Sequence, residues 1–164
     1  GAGGGGMGGA VVGRELMRSD FWRIRAEQAL GEAMAAIRET HGEDSRPSAL
    51  MVVDQDGLFR GLLTARLLIR ILVGDSDAQD SALLQVASQR LQQLVGDTLI
   101  DGIPVVSPGD RLLTLIRRGA ATRLDFVAVV DGGRPVGLAP ITAIFQTVAG
   151  MSLTPDDVGV RFDR

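Results

Sequence analysis

The chain has 164 residues, 45% of them apolar and 23% charged, with a formal net charge of −3. This is the composition of a globular domain or two very small ones rather than of a disordered chain, and a non-specific nucleic-acid surface would need a basic excess. Cys, Lys, Tyr and Asn are absent and all 17 basic residues are Arg, so thiolate and Schiff-base chemistry, disulfides and a phosphate-loop lysine are excluded and a non-enzyme is expected.

Residues 1–10 read as a glycine-rich tail, with residues 1–6 expected to be a cloning remnant before a native start at Met7. Gly1, Gly3 and Gly6 match G-x-G-x-x-G, but no strand precedes them and no helix follows, so the dinucleotide reading fails. No basic segment followed by an apolar one marks a leader. The longest apolar-rich run, residues 62–73, is cut by Thr64, Arg66 and Arg70 and is too short for a membrane span. No membrane association and a cytoplasmic location are therefore expected.

From residue 11 onward the chain repeats itself. Val12-Gly13-Arg14-Glu15-Leu16 stands beside Val95-Gly96-Asp97-Thr98-Leu99. A short apolar segment follows each, residues 21–24 and 103–106. Next comes a helical pattern: Leu30, Ala33, Met34 and Ile37 in the first copy, Leu112, Leu115 and Ile116 in the second. Ser107 predicts an N-cap with Pro108 at the first helical position and Asp110 near the positive end. Arg25 replaces Ser107 in the first copy, so that cap is predicted lost. His41, with Glu39, Glu43 and Asp44 nearby, falls in a predicted polar loop over 40–48 and is read as solvent-exposed. Apolar strands are predicted over 50–53 and 126–130, each entering a Gly- and Asp-rich turn, Asp54-Gln55-Asp56-Gly57 or Asp131-Gly132-Gly133-Arg134. Return strands reach Gly61 and Gly137. A second helix follows in each copy, over 64–73 and 141–149, with Gly74 and Gly150 predicted as left-handed caps.

Between the copies, residues 75–94 predict a linker helix capped by Asp80 or Ser81, with Leu83, Leu84, Ala87, Leu91, Leu94 and Val95 as its apolar positions. Asp75, Asp77 and Asp80 resemble the opening of a calcium loop. The glycine and distal glutamate such a loop needs are missing, so turn and cap roles are expected. The expected fold class is α/β: two β-α-β-β-α repeats, 11–74 and 95–150, packed about a pseudo-two-fold axis, with a tail over 151–164. Leu68, Ile69, Leu72 and Val73 widen the apolar stripe of the helix over 64–73 to most of its circumference, which predicts a homodimer through helix faces.

In this order, and duplicated, the segments resemble a tandem pair of CBS domains. The family's strand-and-Asp segment is matched by Leu50-Met51-Val52-Val53-Asp54 and Val127-Ala128-Val129-Val130-Asp131. Its closing G-h-h-T-x-x-D-L segment is matched by Gly61-Leu62-Leu63-Thr64-Ala65-Arg66-Leu67-Leu68 and, less closely, by Gly137-Leu138-Ala139-Pro140-Ile141-Thr142-Ala143-Ile144. The resemblance implies a regulatory module that binds an adenine nucleotide or S-adenosylmethionine in clefts between its repeats, forms homodimers and signals to a partner protein. No required cofactor is expected, and the residues around His41 and the incomplete calcium loop lead to no metal being expected either. The candidate ligand-binding residues are Trp22, Ile24, Met51, Thr64 and Arg66, with Ile103, Val105 and Phe126 in the second copy.

The departures keep two readings open. Nucleotide-binding members place an Asp three residues after the Thr to hold the ribose hydroxyls. Here Leu67 stands at that place, and the second copy has Pro140 and Ala143 at the two positions. A hydrogen bond to a charged group is worth about 1.5–3 kcal/mol, so ribose recognition is weakened. The alternative is a protein–protein or dimerisation scaffold with vestigial clefts. Structural roles also compete: capping for Thr64, a solvated face for Arg66 and Arg70, core packing for Trp22, and helix-dipole placement for Arg117, Arg118 and Arg123.

Overall fold

The computed structural model describes residues 11–44, 49–74 and 76–151, with the side chains of 40–44 outside that description. In chain order the elements are α1 (Gly13–Leu16), β1 (Trp22–Arg25), α2 (Leu30–Asp44), β2 (Ala49–Val53), β3 (Phe59–Thr64), α3 (Ala65–Val73) and α4 (Asp80–Arg90). A 3-10 turn (Val95–Thr98) precedes β4 (Val105–Val106), α5 (Leu112–Ala120), β5 (Phe126–Asp131), β6 (Arg134–Pro140) and α6 (Ile141–Gly150). The predicted β-α-β-β-α order is present in both copies. The strands form two three-stranded sheets, β1-β2-β3 and β4-β5-β6. β1 runs parallel to β2 with Trp22 opposite Leu50 and Ile24 opposite Val52, and β2 runs antiparallel to β3 with Met51 opposite Leu62. β4 runs parallel to β5, Val105 opposite Ala128. Among the described residues no helix is long and apolar enough to cross a membrane.

The chain forms two compact units that do not follow chain order. One comprises Asp20–Ile103 with residues 132–135; the other comprises residues 11–19, Pro104–Asp131 and residues 136–151. Each copy's leading segment is thus built into the unit that carries the other copy's sheet. In the unit of β4-β5-β6, Gly13 N donates to Asp110 O at 2.8 Å and Arg18 N to Leu138 O at 2.7 Å. In the unit of β1-β2-β3, Val95 N donates to Gln28 O and Gly96 N to Ala26 O, both at 2.8 Å.

Strand alternation decides which residues meet the helices. Val106, Val127 and Val129 form one core with Leu112 and Leu115 of α5 and Ile144 of α6, and Leu16 and Met17 pack against it. Gly137 leaves room for Met17, because a Cβ there would lie 2.7 Å from Met17 Cβ. Gly61, at the matched position of β3, faces Leu99, whose Cδ2 would stand 3.1 Å from an added Cβ. Both turns take the expected form: Gly57, Gly132 and Gly133 have φ of 82°, 59° and 82°, values that favour glycine. Asp54 Oδ1 accepts from Asp56 N at 2.8 Å and Leu58 N at 3.0 Å, closing the first turn.

Several local expectations are corrected. α2 runs to Asp44, so the backbone at His41 is helical rather than loop; its side chain lies outside the described residues, as does Asp75. The start of α2 is not bare. Glu32 Oε2 accepts from Ala29 N at 3.0 Å, and Gln28 Oε1 accepts from Arg25 N at 2.8 Å, a carboxylate three residues into the helix replacing the missing cap. Ser107 does not cap α5. Asp110 Oδ2 instead accepts from Ser107 N at 2.7 Å, and α5 begins after Arg111 with no side-chain cap. Gly74 has φ −64°, a right-handed value, and Gly150 is not among the glycines of positive φ. α4 begins after Gln79 without a side-chain cap and buries none of its residues; Leu84 is exposed, whereas Val95, in the 3-10 turn, is fully buried.

Candidate functional site

The first unit holds six of the eight candidate residues: Trp22, Ile24, Met51, Thr64, Arg66 and Ile103. Register separates them by face. Trp22 and Ile24 pair with Leu50 and Val52, whose counterparts in the repeat, Val127 and Val129, point at helices. Met51 and Thr64 belong to the opposite face, since Thr64 pairs with Ala49, two residues from Met51. In the second unit Val105 pairs with Ala128, so Val105 and Phe126 lie on the face away from the Val127–Val129 core. Met51, Thr64, Val105 and Phe126 therefore share one kind of sheet face, whereas Trp22 and Ile24 occupy the other.

Trp22 is 43% exposed, so it is not the packed core residue that its aromatic bulk suggests. It begins β1, which among the described residues is an edge strand paired with β2 alone. Next to it, the Arg23 guanidinium stands 4.6 Å from the centre of the Phe21 ring, within cation–π range. Ile24 and Met51 are buried.

Thr64 is the one buried polar side chain among the described residues. Its backbone is extended, and its Oγ1 accepts from Leu67 N at 3.1 Å, capping α3. The hydroxyl keeps its proton to donate. Arg66 lies in the first turn of α3 and is exposed, as is Arg70 one turn on. Leu67, at the position of the family's ribose carboxylate, is 4% exposed and packs inward. At the matching place in the second copy Pro140 precedes α6 and offers no side-chain cap. The two helix starts are thus chemically unequal. No group of His, Asp and Glu among the described residues is arranged to hold a metal ion.

The sequence reading did not single out Met17 or Leu99, the side chains set against Gly137 and Gly61. The signal was present in the repeat itself, where Leu16-Met17 and Leu99-Ile100 end matched segments. The sequence reading placed Arg134 in the second hairpin turn without a role for its side chain, whose Nη1 donates to Asp56 O at 3.0 Å, joining the two hairpin turns within the first unit.

Residues 12–74 match the family model of the CBS domain. No curated protein matches the chain by sequence. Among solved structures, a CBS domain-containing protein of unknown function from Kribbella flavida is 25% identical over 85% of this chain and 99% of its own, with a TM-score of 0.62. CBSX2 in complex with AMP is 18% identical over 84% of this chain and 96% of its own, TM-score 0.60. The cytosolic domain of the Mg2+ channel MgtE in complex with ATP is 20% identical over 80% of this chain but 46% of its own, TM-score 0.60.

Proposed function

We propose, from the premise that this chain is a CBS-domain protein whose described residues fold as a tandem pair, that it is a non-catalytic regulatory module that binds an adenosine-containing ligand and passes the binding state to a partner protein. The observation that carries this reading is the duplicated β-α-β-β-α unit, a fold seen elsewhere with AMP and with ATP bound. The first copy is the better site. Its α3 start offers the Thr64 hydroxyl with Arg66 two residues on, where Pro140 has neither a hydroxyl nor an N–H. With Leu67 in place of a carboxylate, phosphate contacts carry more of the affinity than ribose contacts, so ATP binds better than adenosine. Large apolar side chains left in solvent on the helices, Ile69, Leu113 and Phe145, support a homodimer as the working form.

A thermal-shift panel of AMP, ADP, ATP and S-adenosylmethionine tests the reading, because a ligand at 100 times its Kd stabilises by about 2.7 kcal/mol. Calorimetry should then show binding weakened by Thr64→Val and restored by Thr64→Ser, which keeps the cap. The second reading, a dimerisation scaffold with vestigial clefts, is favoured by the loss of the carboxylate at Leu67 and Ala143. Absence of heat with every adenine nucleotide at millimolar concentration would establish it over the first.

A further inference from the structure

The sequence holds three Asp-Gly pairs, Asp56-Gly57, Asp101-Gly102 and Asp131-Gly132. Such a pair can isomerise without an enzyme. The glycine amide nitrogen attacks Cγ of the protonated aspartate, a C–N bond forms, and the carboxyl –OH leaves with the amide proton as water. Water then reopens the succinimide. Opening at the former main-chain carbonyl gives isoaspartate, whose chain runs through Cβ and Cγ and whose α-carboxylate is free; opening at Cγ restores aspartate. One water leaves and one enters, and nothing is oxidised or reduced. Glycine favours the reaction because it has no Cβ to crowd the attack and turns freely.

Ring closure swings the glycine nitrogen onto the aspartate side chain, and a backbone fixed by hydrogen bonds must first open locally to permit it. Two of the pairs are fixed. Gly57 N donates to Asp54 O at 3.0 Å and Asp56 N to Asp54 Oδ1 at 2.8 Å. Arg134 Nη1, bonded to Asp56 O, stands 2.7 Å from where a Gly57 Cβ would lie. Asp131 is the last residue of β5, and in the turn beyond it Gly133 O accepts from Phe59 N at 2.7 Å. Asp101 and Gly102 lie between the 3-10 turn and β4, in neither helix nor strand, and both are exposed. Gly102 has φ of 78°, and beyond its chain neighbours no heavy atom lies within 4 Å of where its Cβ would stand. Among the described residues no hydrogen bond holds this pair.

We infer that Asp101 is a site of spontaneous isoaspartate formation in the folded protein, with Gly102 N as the nucleophile and water as the only co-reactant. The product carries one more main-chain atom between Leu99, set against Gly61, and Pro104, whose carbonyl accepts from Ala128 N at 3.0 Å. The change falls in the stretch where the chain passes from one unit to the other.

The whole chain is aged at mildly acidic pH and physiological temperature, once folded and once in concentrated urea, with circular dichroism to follow the fold. Each sample is digested with an endoproteinase that cleaves before aspartate but not before isoaspartate, and the uncut junctions are quantified by mass spectrometry. In urea the three pairs are expected to convert at similar rates. In the folded chain, isoaspartate at 101 is expected to exceed that at 56 or 131 by about tenfold, since the other two wait on local opening. Equal conversion at the three pairs in the folded chain overturns the proposal, as does an excess at 56 or 131. A folded chain that converts at none of them, while the chain in urea does, overturns it too.

Discussion

Gly61 and Gly137 occupy the same position in their strands, yet they face different neighbours, and substitution should cost different amounts. A Cβ at Gly137 meets Met17 Cβ and Cγ at 2.7 Å, and the atoms nearest the backbone are the least able to move. Gly137→Ala is expected to destabilise by about 1–3 kcal/mol, and Met17→Ala to recover much of that in a double-mutant cycle read by urea denaturation. At Gly61 the obstacle is the tip of Leu99 at 3.1 Å, so Gly61→Ala should cost less. Glu32 supplies a pH-dependent term. Its pKa is held below the ordinary value mainly by the hydrogen bond from Ala29 N, with Gln28 and Arg25 adding to it. A carboxylate with a lowered folded-state pKa contributes above its unfolded value, and the contribution fades as pH falls through the lowered one. Glu32→Gln should therefore flatten the acid side of the stability profile below about pH 4.5 without changing the fold, as urea midpoints at neutral and acid pH will show. Both glycines were visible in the sequence as part of a motif. Their reason was not, because the side chains they accommodate come from a distant segment.

Among the elements, α4 packs on α3 from the surface. None of its residues is buried, and Arg90 Nη1 at its last turn donates to Ile71 O at 3.1 Å and Leu72 O at 3.3 Å, the terminal carbonyls of α3. Arg90→Ala should loosen α4 by about 1 kcal/mol, seen as a several-fold rise in amide exchange confined to 80–90 while β2 and β3 keep their protection. The start of α5 shows why capping signals can mislead. Ser107, Pro108 and Asp110 have the residue types of a helix entrance. In the fold, the carbonyls of Pro108 and Asp110 accept from Arg14 N at 2.9 Å and Gly13 N at 2.8 Å. Acceptors committed to the leading segment cannot open a helix, so α5 starts at Leu112, four residues later than expected. At the Thr64 cap of α3 and at the Asp54 bonds that close the first turn, the deciding hydrogen bonds are local, and there sequence and structure agree. Of the site, the face of each strand residue was legible from alternation once the strands were placed. The exposure of Trp22 was not, since it follows from β1 being an edge.

At the scale of the whole molecule, the repeat was legible because it is written in contiguous segments, but unit membership was not. A leading segment such as 12–17 fits either copy by its own residues, and only the fold assigns it to the unit of β4-β5-β6. Removal of residues 11–19 should therefore damage the unit remote from it in sequence. Val11, Leu16 and Met17 leave the Leu112–Leu115 core, a loss of about 3 kcal/mol for three half-buried side chains. The expected outcome is an early melting transition in the β4-β5-β6 unit, with the unit containing Trp22 retaining its near-ultraviolet signal.

The exchanged segments also set a timetable for synthesis. A ribosome adds about 5–20 residues per second, and roughly 120 residues separate Met17 from the strand position at Gly137 that it covers. Residues 11–19 must therefore wait for roughly 6–24 s after they are made before their sheet exists. The first sheet can pair early, since β1, β2 and β3 are adjacent in the chain, but its unit is complete only when residues 132–135 arrive. Neither unit can be completed on the nascent chain before residue 135 has been made, so each receives its closing segment late in synthesis.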